Sequence, residues 1–154
     1  MYAGAEVEKK QSGMTFTETG GLSIDFPRGG AMGDNYFVAT EDCTIHKCRT
    51  SYSAQYLESY FGHHGPIYKV RCNPYWHNTD CPIFLTCSYD WTVRVWHEEE
   101  TSDKLVCHQL SGDHPLQAQV NDICWSPQTS SVFGSVANDG RIEVWDLKRD
   151  VLQP

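Results

Sequence analysis

Positive charge is scarce in this 154-residue sequence: 12 Lys and Arg stand against 20 Asp and Glu, a formal charge of −8. Without basic clusters the chain lacks what binds nucleic acid or an anionic membrane directly, and any strongly acidic protein polymer is disfavoured in the same way. No run approaches the roughly 18 apolar residues that a membrane-spanning helix needs. There is no Asn-x-Ser/Thr sequon, and the N-terminus has no apolar signal-peptide core. Neither GxxxxGK[ST] nor a strand–GxGxxG–helix context occurs, so Gly20-Gly21 and Gly29-Gly30 read as turns rather than phosphate cradles. No helical stripe runs longer than a turn or two.

Seven cysteines are present: Cys43, Cys48, Cys72, Cys81, Cys87, Cys107 and Cys124. The number is odd and several fall inside strand patterns, where a free cysteine behaves as a small buried hydrophobe. A reducing, intracellular compartment is expected. Neither paired CxxC nor HxxxH spacing occurs, although Cys43, His46 and Cys48 cluster, as do Cys72 and His77. Alternation puts His46 and Cys48 on one strand face, but two ligands are not four. No metal and no cofactor are expected.

What the chain does have is a repeat. Segments Tyr36–Cys48, Phe84–Trp96 and Phe133–Trp145 align without gaps. Each carries an Asp (Asp42, Asp90, Asp139) six positions before its final Cys or Trp, at intervals of 48 and 49 residues. An apolar strand, an Asp turn and a strand ending in Trp at that period are the signature of a β-propeller blade. The expected fold is all-β, a propeller of about three blades: residues 20–64, 65–112 and 113–154, the last lacking its outer strand, after a lead-in over 1–19. That lead-in is polar, without convincing periodicity, and reads as flexible or as a strand remnant. Propellers of this kind close with about seven blades of roughly 40–45 residues, so the sequence is expected to be a piece of a larger ring.

Period-two alternation, with an apolar run over 36–40, predicts strands over 22–26, 36–40, 44–48 and 55–60, and the same plan gives 68–72, 84–88, 92–96 and 104–109, then 121–125, 132–137 and 141–145. Glu98-Glu99-Glu100 reads as a solvated loop, with an electrostatic partner site as the alternative.

A His, a hydroxyl, an Asp and a Trp recur in constant order: His63, Thr86, Asp90 and Trp96 in the second blade, and His114, Ser135, Asp139 and Trp145 in the third. A carboxylate in a tight turn needs donors, and an imidazole, a hydroxyl and an indole N–H supply them. A Ser/Thr–His–Asp hydrolase triad uses the same residue types, but an active site does not recur blade after blade. These sets are read as structural, with no catalytic residue. The first blade has Val38 in place of the hydroxyl and Cys48 in place of Trp.

The tetrads and the period resemble the WD-repeat family. Ala39–Cys48 with Ser51-Tyr52-Ser53, Cys87–Trp96 with its unusual Asp-Trp-Thr-Val turn, and Asp122–Pro127 resemble dynein intermediate chains of the axonemal branch. Tyr56–Val70 looks most like the intermediate chain of the two-headed inner-arm dynein. Cys43 stands where the family usually has Gly, and His97 where Asp commonly follows the Trp. The resemblance implies a non-catalytic subunit whose propeller grips the tail of a dynein heavy chain alongside other intermediate and light chains, in the cytoplasm, cytoskeleton and ciliary or flagellar axoneme. The alternative is a WD-repeat scaffold of another complex, including the cytoplasmic dynein intermediate chain.

One loop stands out for partner contact. The second blade has ten positions from Pro74 to Phe84, whereas the third has six from Pro127 to Phe133. The extra length holds Tyr75, Trp76 and His77. Either Trp76 folds back on its own blade, or Tyr75 and Trp76 form an aromatic anchor for the heavy chain or a neighbouring subunit.

Overall fold

A computed structural model describes residues 5–10, 13–28, 34–52, 56–75, 83–99, 104–110 and 118–149. Among them are thirteen strands and no helix. The first two, β1 (Ala5–Lys10) and β2 (Gly13–Glu18), form an antiparallel hairpin with Val7 opposite Phe16. The sequence showed no convincing period there. A two-stranded ribbon is held by backbone pairing and needs no continuous apolar face, so alternation is a poor guide to it.

Three antiparallel meanders follow. The first sheet is β3 (Gly21–Asp25), β4 (Asn35–Thr40), β5 (Thr44–Arg49) and β6 (Glu58–Phe61), in that spatial order. The second is β7 (Ile67–Cys72), β8 (Phe84–Ser88), β9 (Val93–Glu99) and β10 (Lys104–Leu110). The third is β11 (Val120–Trp125), β12 (Val132–Ala137) and β13 (Ile142–Asp146). Two expectations need correction. β6 starts at Glu58, after Tyr56 and Leu57 of the expected strand; Gln55 lies outside the described residues. β9 runs through Glu98 and Glu99, so two of the three glutamates lie in a strand, paired with Leu105 and Lys104.

The repeat is also written in the backbone. Each sheet breaks register near the start of its first strand, at Gly21/Ser23, Ile67/Lys69 and Val120/Asp122. Each has the matching turn bond: the amides of Glu41, Tyr89 and Asn138 donate to the carbonyls of Gly20, Pro66 and Gln119 at 2.9, 2.9 and 2.8 Å. Such bulges re-aim the strand and add twist.

Because side chains alternate, each sheet shows two faces. On the second sheet, Val70, Cys72, Phe84 and Trp96 pack against Phe37, Ala39, Ile45 and Tyr60 of the first. Its other face, with Leu85, Cys87, Val93 and Val95, meets Ile123, Trp125, Phe133 and Trp145 of the third. One aromatic pair recurs: Phe84 stacks on Trp96 at 6.0 Å and 8°, and Phe133 on Trp145 at 6.1 Å and 8°. Side chains stitch the sheets at their first strands. Asp25 accepts the amide of Cys72 at 2.8 Å, Ser23 that of Val70 at 3.3 Å, and the carbonyl of Arg71 accepts the Trp125 indole N–H at 3.0 Å.

The third sheet repeats the outward face of the second, without a cover among the described residues. Val136, Ile142 and Val144 align with Cys87, Val93 and Val95, yet are 38, 78 and 62% exposed, whereas Val93 is 2% exposed. The repeat therefore makes a paired prediction in denaturant unfolding. Val93→Thr should cost about 1–2 kcal/mol by burying a hydroxyl against apolar neighbours. Ile142→Thr should fall within about 0.5 kcal/mol of wild type. Equal effects would show that the two faces are equally covered.

Candidate functional site: a buried polar chain and its turn

In the second sheet the β8–β9 turn aims Asp90 back into the fold. The carboxylate accepts from His63 Nδ1 at 2.8 Å, the His64 amide at 2.9 Å, the Thr92 amide at 3.1 Å and the Thr92 hydroxyl at 2.7 Å. On the far side of the ring, Thr86 Oγ1 lies 2.7 Å from His63 Nε2 and accepts the Trp96 indole N–H at 2.7 Å. Ser88 completes the turn, donating to the Gly65 carbonyl at 2.9 Å and accepting the Asp90 amide at 3.1 Å.

The bonding fixes the protons. Thr86 accepts from Trp96, so its own O–H is free to donate to Nε2, and Nδ1–H then donates to Asp90. Neutral His63 carrying its proton on Nδ1 leaves every donor with an acceptor. Burial pushes the His63 pKa down and outweighs the pull of Asp90. For Asp90, burial pushes up, but the donors from His63, His64 and Thr92 together hold it well below the usual carboxylate range. Thr86 is fully buried and His63 5% exposed. A hydroxyl locked between an indole and an imidazole, out of reach of solvent, is not placed to act as a nucleophile.

Both shifts have the same linkage sign. Unfolded His63 takes up a proton near its ordinary 6.5 while the folded form resists, so stability falls as pH drops below about that value. Asp90 stays ionised when folded but protonates near 3.8 when unfolded, so its contribution is lost on further acidification. Unfolding free energy should therefore decline from about pH 6.5 and more steeply below about 4, and Asp90→Asn should flatten the lower limb. A profile flat from pH 7 to 4 would mean that His63 is not held neutral.

The third sheet keeps only part of the arrangement. Trp145 donates to Ser135 Oγ at 3.0 Å, as Trp96 does to Thr86. His114 lies outside the described residues. Asp139 was expected to join the tetrad; among the described residues its carboxylate is held by the Arg141 amide at 3.2 Å and by the Arg141 guanidinium. Its side chain is 20% exposed, against 8% for Asp90. Arg141 stands where the second sheet has Thr92, and it supplies the carboxylate with donors from its own strand. In the first sheet, Thr40 bonds Asp42 and donates to the Thr44 carbonyl at 2.6 Å. His46, weighed above as a metal ligand, bonds Ser59 at 2.9 Å and packs 4.7 Å from the Tyr56 ring. Among the described residues no group of three or more His, Cys, Asp or Glu is placed to hold a metal ion.

Sequence reading missed Thr92 and Ser88, although a hydroxyl two residues from an Asp is a turn signal that would have found them. It also missed Ser23 and Asp25, whose partners belong to another sheet and leave no local trace. Tyr75 sits in the turn after β7, 37% exposed, its amide donating to the Asn73 side chain at 2.9 Å. Trp76 and His77 lie outside the described residues.

The WD40 profile, described as WD domain, G-beta repeat, matches residues 54–97 and 105–146. Among curated relatives, the chain is 38% identical over 152 residues to human "Dynein axonemal intermediate chain 4", covering 98% of this chain and 16% of that protein. The mouse protein of the same name is 39% identical over 153 residues, covering 98% and 17%. The Chlamydomonas reinhardtii "Dynein, 78 kDa intermediate chain, flagellar outer arm" is 32% identical over 138 residues, covering 88% and 18%. The chain thus spans less than a fifth of the length of these relatives.

Proposed function

The chain belongs to the WD40, G-beta repeat, family, and from that premise we propose that it is a non-catalytic subunit of an axonemal dynein motor. Its sheets serve as a docking platform for the tail of a dynein heavy chain, with other intermediate and light chains nearby, in the ciliary or flagellar axoneme. The observation that carries this reading is identity of 38–39% across 98% of the chain to proteins named dynein axonemal intermediate chain 4. The buried network supports it from the chemical side: its polar groups are spent on one another, which suits a rigid scaffold. Tyr75 is the described half of the aromatic anchor expected at the β7–β8 loop, with Trp76 beside it in sequence. A formal charge of −8 opposes direct contact with acidic microtubules.

An epitope-tagged copy expressed in a flagellated cell tests the proposal. The tag should fractionate with axonemes, leave them at high salt, and co-purify with an axonemal heavy chain. Recovery with the cytoplasmic dynein heavy chain, or with no heavy chain, would overturn it. Replacing Tyr75 and Trp76 together with Ser should weaken that co-purification without unfolding the chain.

A further inference from the structure

The three sheets share one turn geometry but fill it differently. The residue after the turn Asp is left-handed in each: Cys43 at φ 70°, Trp91 at φ 69° and Gly140 at φ 88°. Glycine enters that region freely, whereas a bulky residue is a genuine outlier there. Trp91 is 44% exposed, so burial does not account for its presence. Tyr89, two residues earlier, is 48% exposed. Asp90 between them points inward to His63, and the two rings remain at the surface.

Their surroundings carry one sign of charge. Residues 40–44 and 88–92, the turns of the first and second sheets, hold Glu41, Asp42 and Asp90 and no Lys or Arg. The turns lie at the same end of neighbouring sheets: Ser23 and Asp25 accept the amides of Val70 and Cys72 in the same order along β3 and β7, and the amides of Glu41 and Tyr89 close on Gly20 and Pro66 just before those strands. Glu41 and Asp42 are exposed, although the Glu41 carboxylate also accepts the Gly20 amide at 3.2 Å. The cation facing inward, Arg94, is buried at 9%. This edge is the opposite end of the second sheet from Tyr75, because β8 runs antiparallel to β7.

We propose that Tyr89 and Trp91, rimmed by Glu41 and Asp42, dock an extended basic segment of a partner protein. Two exposed rings offer faces to guanidinium or ammonium groups, and the carboxylates beside them complete the pairing. Aromatic residues at such positions dominate interface energies, and the rim charges steer association. The site does not depend on the dynein reading, since any Arg- or Lys-bearing segment meets its chemistry.

The test uses the full chain and a fluorescein-labelled octapeptide alternating Arg and Ser, followed by anisotropy. Wild type should bind, with affinity falling as salt rises. Trp91→Gly should lower affinity at least about tenfold, while leaving the melting temperature unchanged or higher, because Gly takes the left-handed turn without strain. Glu41→Gln should weaken binding several-fold and flatten its salt dependence. Binding that survives Trp91→Gly would mark diffuse attraction to an acidic chain and overturn the proposal. So would a melting temperature lowered by Trp91→Gly with affinity intact, since the ring would then be structural.

Discussion

Trp96→Ala is expected to cost about 3–5 kcal/mol in equilibrium unfolding, the largest loss from a single truncation in the chain. Trp96 is fully buried at the boundary between the first two sheets. Its ring stacks on Phe84 and meets Tyr60 edge-on at 6.2 Å, so removing it opens a cavity shared by two sheets. The same change also removes the N–H that Thr86 accepts. Trp96→Phe separates the two contributions: it keeps most of the packing, loses the indole donor, and should cost about 1–2 kcal/mol. If Phe proved as damaging as Ala, the hydrogen bond rather than the packing would dominate.

Asp90→Ala should follow at about 2–4 kcal/mol. The carboxylate is the common acceptor for His63, the His64 amide and both donors of Thr92. Truncation leaves those donors with no replacement on the buried side, and an unmet buried donor costs more than the bond itself was worth. Asp139→Ala in the third sheet is the internal comparison. Its carboxylate serves Arg141 nearer the surface, so the loss should be much smaller than at Asp90. Similar losses at the two positions would mean that Asp90 is not the hub of a buried network. Chemical denaturation at pH 7, with circular dichroism and tryptophan emission read together, distinguishes these outcomes.

The contrast between these two aspartates shows how far sequence reading reaches. Both stand at the same place in the repeat and both were expected to join a tetrad. Among the described residues they differ at Thr92 against Arg141: a short hydroxyl bonds a carboxylate turned inward, whereas a long guanidinium pairs with one that is more exposed. The order His63, Thr86, Asp90, Trp96 was legible because each member has a donor or acceptor role that its residue type dictates. The tautomer of His63 was not, since it depends on which neighbour Thr86 donates to.

Strand positions, the Asp turns and the all-β class follow from the sequence alone, because period-two alternation and the 48- and 49-residue spacing are local signals carried by the residues themselves. The hairpin β1–β2 escaped, since backbone pairing leaves little mark on apolar spacing. Which face of each strand meets which sheet was decided only in three dimensions. Val93 and Ile142 are interchangeable by pattern, yet one lies beneath the third sheet and the other faces solvent. The cross-sheet bonds of Ser23 and Asp25, and the exposure of Tyr89 and Trp91 beside Glu41 and Asp42, likewise arise where separate sheets are brought together. Alternation tells a side chain which way to point along its own strand; only the packing of one sheet on the next determines what it meets there.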